Sequence, residues 1–172
     1  MKMDHEYFME KALNLAQTAL EQGEFPVGCV LVHKDKIIAT GKREGTAKSV
    51  LNEVDHAEII ALRNLAGMKD YNEISRQEII IYCTMEPCLM CFGAILLAGI
   101  GKIVFAYEDV MGGGTNCNTK DLSPLYKDNK ISITPGVLRK ESLNIFKMYF
   151  YNPTNNYWKG SLLAHYTLSQ KS

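Results

Sequence analysis

The stretch Ile79-Ile80-Ile81-Tyr82-Cys83-Thr84-Met85-Glu86-Pro87-Cys88-Leu89-Met90-Cys91-Phe92-Gly93-Ala94 decides how the rest of this 172-residue chain is read. Ile79 to Cys83 is a short apolar run of the kind that forms a buried strand. Pro87 suits the first turn of a helix, where its missing N–H is no loss, and that helix is predicted to run to about Ala98. Lys102 to Tyr107 returns as a strand. Strand, helix and strand in close succession form the unit from which helix-covered sheets are built.

Outward from this unit the same alternation continues. Asp4 to Gln22 reads as a helix with Phe8, Ala12, Leu15, Ala16 and Ala19 near one face and Gly23 as its stop. Phe25 to His33 reads as a valine-rich strand, Lys34-Asp35-Lys36 as a turn and Ile37 to Thr40 as a second strand, which together make a hairpin. Gly41 to Asp55 is polar and aperiodic, hence a loop. A helix starting close to His56 carries Ile59, Ile60, Leu62 and Leu65 and stops at Gly67. Downstream, Glu108 to Asn129 reads as a loop containing Gly112-Gly113-Gly114, a segment expected to be mobile near a pocket mouth. Ile131 to Thr134 is a last strand, Arg139 to about Tyr151 a helix, and the tail after Asn152 holds one more short helix near Leu162. The pattern predicts an α/β protein, a mixed sheet with helices on both faces.

Composition limits the class. Hydrophobic residues make up 47% and charged residues 22% of the chain, and the formal net charge is zero. These values are ordinary for one soluble domain with a sizeable core, and they supply no electrostatic argument for nucleic acid. Five cysteines, two of them in one short motif, do not suggest a disulfide framework. Met1 to Glu6 lacks the apolar core of a signal peptide. The most apolar stretch, Cys91 to Tyr107, is broken by Lys102 and by glycines, so no membrane span is expected and the cytoplasm is the default location.

The chemistry sits in two short segments. Cys88 and Cys91 form a C-x-x-C knuckle at a helix start, where the positive end of the helix dipole favours ionised sulfur. His56-Ala57-Glu58 lies at the start of another helix. One histidine and two cysteines hold Zn2+ and leave its fourth position open, as a catalytic site requires. Glu58 stands beside that position as a proton carrier. A structural zinc would need a fourth ligand, and Cys29, Cys83, Cys117, His5, His33 and His165 lack the spacing for it. Cys29 and Cys83 fall in apolar strands and read as core thiols, Cys117 as an incidental one.

The pairing of H-x-E with P-C-x-x-C resembles the zinc nucleobase deaminases. From about Glu6 to Phe150 the chain resembles the cytidine and deoxycytidylate deaminase superfamily, in particular the bacterial tRNA adenosine deaminase and guanine deaminase branch. Phe25-Pro26-Val27-Gly28-Cys29-Val30-Leu31-Val32, the run Thr84 to Ala94, Asp109 and Pro135-Gly136-Val137-Leu138 carry the likeness. It implies a three-layer αβα sandwich with a mixed five-stranded sheet, usually dimeric or larger, here a homodimer. It also implies His56, Cys88 and Cys91 as zinc ligands and Glu58 as the proton shuttle. Substrate contacts are implied at Pro26, Val27, Glu86, Pro87 and Asp109. Arg43 stands where the tRNA and guanine branches carry an asparagine that touches the base. The loop before His56 also departs, with Asn52-Glu53-Val54-Asp55 in place of Asp-Pro-Thr-Ala.

Residues 1–151 are thus expected to form the zinc deaminase domain and 152–172 an aromatic tail packed on it or on a neighbouring subunit. Trp158 and Tyr166 are the candidate lid residues, although aromatic clusters more often serve burial. Two substrates stand side by side: an adenosine in the tRNA anticodon loop, deaminated to inosine, or a free base, nucleoside or nucleotide of guanine, cytosine or adenine. A zinc-stabilised binding protein without activity is the reading from another class, and Glu58 speaks against it.

Overall fold

The structure, a computed structural model, describes residues 4–47 and 51–171. Met1 to Met3, Lys48 to Val50 within the loop read between Gly41 and Asp55, and Ser172 at the end of the tail lie outside it.

Helix α1 (His5–Glu21) begins at Asp4, whose side chain accepts from the Tyr7 N–H. It is followed by β1 (Gly28–His33) and β2 (Lys36–Lys42). Lys34 and Asp35 both adopt positive φ, 48° and 59°, so the predicted three-residue turn is a two-residue one whose twist matches the strands. Lys36 thereby pairs with His33. Phe25 to Val27 stay outside β1, because Pro26 has no N–H for a ladder and the Phe25 N–H is spent on Thr46 Oγ1 at 2.7 Å.

Next come α2 (Ala57–Ala66), β3 (Ile80–Met85), α3 (Leu89–Leu97), β4 (Lys102–Tyr107), a single-turn α4 (Pro124–Lys127), β5 (Ser132–Thr134), α5 (Arg139–Tyr151) and α6 (Leu162–Ser169). The α4 turn lies in the segment read as loop, since four residues are too few for a helical period to show. Pro87 precedes the helix it was expected to open: Cys88 is the N-cap and α3 starts at Leu89.

The five strands lie in the order β2-β1-β3-β4-β5. β1 is antiparallel to both its neighbours, while β3, β4 and β5 run parallel. It follows that β2 points the same way as β3, and β1 alone runs against the rest. The carboxyl ends of β2, β3 and β4 therefore share one edge, where ligands of such sheets bind.

Strand residues alternate between two buried faces, as a helix-covered sheet demands. Cys29, Leu31, Ile81, Cys83, Ile103 and Phe105 pack with α2 and α3, whereas Val30, Val32, Tyr82, Val104 and Ala106 pack under α1. The expected arrangement of helices on both faces is what the chain adopts. One close approach fixes the site: a Cβ at Gly41 would lie 2.1 Å from the Ala57 carbonyl oxygen and 2.7 Å from the Ala61 nitrogen. Helix α2 thus rests directly on the backbone of β2. The last helix, α6, packs on α5, buries Leu163, Ala164 and Thr167, and joins the sheet through Thr167 Oγ1 and Tyr107 Oη, 3.0 Å apart.

Candidate metal centre and active-site cavity

Two helix starts meet at the shared edge of the sheet. His56 is the N-cap of α2 with extended backbone, φ −68° and ψ 155°. Cys88 is the N-cap of α3, with φ −66° and ψ 171°. Because His56 lies outside the helical geometry, it and Glu58 serve the same point even though residues two apart in a helix diverge.

His56 Nδ1 is 3.6 Å from Cys88 Sγ and 3.5 Å from Cys91 Sγ. Tetrahedral zinc with ordinary Zn–N and Zn–S bonds separates such a pair by about 3.6 Å. Among the described residues His56, Cys88 and Cys91 are the three donors whose atoms gather within 4.8 Å, so the residues present fit the metal. None of the other cysteines or histidines joins them. Cys29 and Cys83 are fully buried, with sulfurs 3.9 Å apart across β1 and β3.

The electrostatics agree with a cation site. A hydrogen bond from the Cys91 thiol, set against burial and helped by His56, brings Cys88 down to about 4. Cys91, donating to Cys88 and buried, is driven far up. Cys88 is thus the more readily ionised of the two thiols, and a bound cation would favour the thiolate form of both. Burial opposes a charge on His56, but the bond to Cys88 and the negative charges of Glu58 and Cys88 outweigh it and raise its pKa. Glu58 is 3% exposed in the first turn of α2. Burial raises its pKa, against its own backbone N–H and the charge of His56.

A cavity of about 210 Å³ opens at these groups, lined by His56, Glu58 and Cys88 together with Val27, Arg43, Glu53, Glu86, Asp109, Met111 and Gly112. Tyr157, Trp158 and Leu163 come from the tail. A 150 Å³ cavity holds a benzene ring, so this one has room for a single planar heterocycle. Pro26 and Pro87 adjoin the wall without lining it. Tyr166, a candidate lid residue, is not in the wall: its hydroxyl donates to Glu108 Oε1 at 2.6 Å and its ring stacks on Tyr107. Arg139 forms a bidentate pair with the same Glu108.

The family profile described as "Cytidine and deoxycytidylate deaminase zinc-binding region" matches residues 2–107. The chain belongs to this deaminase family. A family relative named tRNA-specific adenosine deaminase, from Buchnera aphidicola subsp. Schizaphis graminum, is 36% identical over 152 residues, 85% of this chain and 93% of that protein. Among solved structures, one from a study of A-to-I editing by tRNA:A34 deaminases at the wobble position superposes with a TM-score of 0.66 at 29% identity, covering 81% of this chain and 98% of that one. A guanine deaminase from Nitrosomonas europaea, 20% identical with a TM-score of 0.64 over 84% of this chain and 83% of that one, shares the fold. The deaminase family is zinc-binding, and the His/Cys/Cys group is where this member would hold the metal. No described helix of this deaminase is long and apolar enough to cross a membrane.

Among the cavity residues not singled out from the sequence are Glu53, Met111, Tyr157 and Leu163. Tyr157 Oη donates to Glu53 Oε2 at 2.8 Å across 104 positions, and the Arg43 guanidinium lies 5.8 Å over the Tyr157 ring. Arg43 is 2% exposed. Its Nη1 donates to the carbonyls of Glu44 and Asp55, and its Nη2 sits 3.5 Å from Glu53 without a hydrogen bond. No periodicity or local motif signals contacts of this range.

Proposed function

We propose that this chain is a zinc-dependent aminohydrolase that converts adenosine in a tRNA anticodon loop to inosine, with His56, Cys88 and Cys91 as ligands and Glu58 as proton carrier. The observation that carries the chemistry is the buried Glu58 carboxylate beside three donors at tetrahedral spacing. The tRNA-specific adenosine deaminases that share about a third of its residues support the substrate.

When bound, zinc supplies the acidity that makes water a nucleophile near neutral pH. Glu58 takes a proton from the attacking water and passes it to the ring nitrogen, then takes the proton of the hydroxyl now on the ring carbon and delivers it to the exocyclic amine, so that the C–N bond breaks, ammonia leaves and the hydroxyl becomes a carbonyl. Water and adenine thus become hypoxanthine and ammonia. Desolvation of Glu58 brings its affinity for a proton closer to what this relay needs. Val27, Met111 and Trp158 give the base apolar surface and exclude bulk water, while Arg43 and Asp109 supply polar contacts. Residues 1–151 act as the deaminase domain and 152–172 as an aromatic tail upon it, a reading supported by the packing of α6 on α5. The working enzyme is a cytoplasmic homodimer, for which exposed Leu89, Leu97 and Leu125 offer shared apolar surface.

A second reading, deamination of a free base, nucleoside or nucleotide, is favoured by Tyr157 and Trp158 in the cavity wall, tied down through Glu53. A polynucleotide-acting enzyme must receive an extruded or single-stranded base, whereas a wall closed by these two aromatic side chains suits a small substrate. An ammonia-release screen of an anticodon stem-loop beside free bases, nucleosides and nucleotides decides between the two. Turnover of a small molecule alone would remove the tRNA reading. Glu58→Ala should retain zinc and lose ammonia release; retained turnover would remove Glu58 from its role.

A further inference from the structure

Glu86 is 7% exposed, and its carboxylate is engaged by a single loop. Its Oε2 accepts from the Asp109 N–H at 3.2 Å. Its Oε1 accepts from the Thr115 N–H at 3.3 Å and from the Thr115 hydroxyl. One oxygen therefore holds the first residue of the segment 109–115 and the other holds the last.

Between these ends the segment folds back on itself. The Gly113 N–H donates to the Asp109 carbonyl at 3.0 Å, and Asp109 Oδ1 accepts from the Met111 and Gly112 N–H groups, both at 2.9 Å. The Gly114 N–H donates to the Pro87 carbonyl at 2.9 Å, and Gly113 bridges Cys88. A Cβ on Gly113 would lie 2.6 Å from the Glu86 carboxyl carbon, and one on Gly114 would lie 2.7 Å from the Leu89 backbone. Glycine at these positions is what lets the segment lie flat on the metal-binding knuckle. A segment read as mobile from its glycines is thus laced to the most constrained part of the chain.

This segment is also a wall of the cavity, through Asp109, Met111 and Gly112. Its clip, Glu86, lies two residues before Cys88 at the end of β3, with its own N–H on the Tyr107 carbonyl at 2.7 Å. Metal ligand and substrate wall are therefore set from one short piece of backbone.

We propose that Glu86 is a positioning residue: its buried carboxylate holds the 109–115 wall in register with the knuckle, and so governs how the base is seated rather than whether the metal binds. The proposal rests on the deaminase reading given above. It reassigns Glu86 from substrate contact to loop clip, because the described hydrogen bonds of its carboxylate all go to that loop.

Glu86→Gln keeps the shape of the side chain but sets an amide N–H against one of the loop's donors, so one end of the clip is lost. The zinc-loaded variant is expected to retain one metal per chain and most of its kcat, and to raise KM by about 10- to 100-fold, the effect of one charge-assisted hydrogen bond. Thr115→Val, which removes one donor, should shift KM in the same direction by less. Gly113→Ala pushes the same wall from the other side, and combined with Glu86→Gln it should fall short of additivity. Hydrogen exchange of the zinc-loaded protein gives a readout without substrate: Glu86→Gln should speed exchange across 109–115 and leave α3 protected. Unchanged exchange there, or loss of zinc in proportion to activity, overturns the role of Glu86. Should the wild type turn over no base at all, the deaminase reading falls, while the exchange result still decides whether Glu86 clips the loop.

Discussion

Replacing Gly41 with alanine would drive a methyl group into the backbone of α2 at its first turn. The new carbon would lie 2.1 Å from the Ala57 carbonyl oxygen and 2.7 Å from the Ala61 nitrogen. Carbon needs about 3.5 Å to such neighbours, so helix and strand must part by roughly 1 Å. Overpacking of this size costs about 1–3 kcal/mol. The damage to function should be larger than that figure implies, because Ala57 follows His56 directly. His56 Nδ1 stands 3.5–3.6 Å from the two sulfurs, and that spacing is what one tetrahedral ion demands. Misplacement by about 1 Å costs on the order of 100-fold in rate. The assay is zinc per chain by elemental analysis, melting temperature, and ammonia release at saturating zinc. Gly67→Ala is the control, since its Cβ meets nothing nearer than 3.6 Å and should be neutral or slightly stabilising. Full zinc and wild-type turnover in Gly41→Ala would refute the idea that the seating of α2 on β2 sets the metal site.

Removing the metal with a chelator should lower the melting temperature and stop turnover; zinc or cobalt should restore both and magnesium neither, because two thiolates select a softer ion. Tyr157→Phe loses the bond to Glu53 and should raise KM several-fold with little change in melting temperature; an unchanged KM would show that the tail does not shape the bound state. Glu24 is buried; burial pushes its carboxyl up, but bonds from the Thr46 hydroxyl, the Thr46 N–H and the Ala47 N–H together hold it below the usual value. A folded-state pKa below the unfolded one contributes stability above the ordinary carboxylate pKa, and that stability is lost as pH falls through the lower folded value. Melting temperatures of wild type and Glu24→Gln should therefore differ at neutral pH and converge in acid, as the pH falls through the lowered folded value; a gap that persists in acid would assign the effect to shape instead.

What was legible in the sequence was whatever repeats locally. The apolar run Ile79 to Cys83, the C-x-x-C knuckle and the amphipathic helices carry their own period or spacing, and the three donors singled out from them lie within 4.8 Å of one another. His56 and Glu58 were readable as a pair only because an N-cap residue escapes helical geometry. What was not legible depends on distant partners. Glu53 and Tyr157 meet across the cavity, and neither has a neighbour in sequence that foretells it. Tyr166 looked like a lid because aromatic tails do; its hydroxyl found Glu108 instead. The glycines 112–114 suggested freedom, yet they mark close packing, and only the position of Glu86 distinguishes the two.

The strand directions have a practical outcome. Arg43, Glu86 and Asp109 each leave the same edge of the sheet on separate loops, and Tyr157 and Trp158 join them from the tail, far along the chain but beside them in the cavity wall. Each wall is thus an exchangeable part. A protein engineer could transplant the 43–55 segment, the 109–115 segment or the tail from a relative and alter what fits, while the three donors stay fixed by α2, α3 and the sheet beneath.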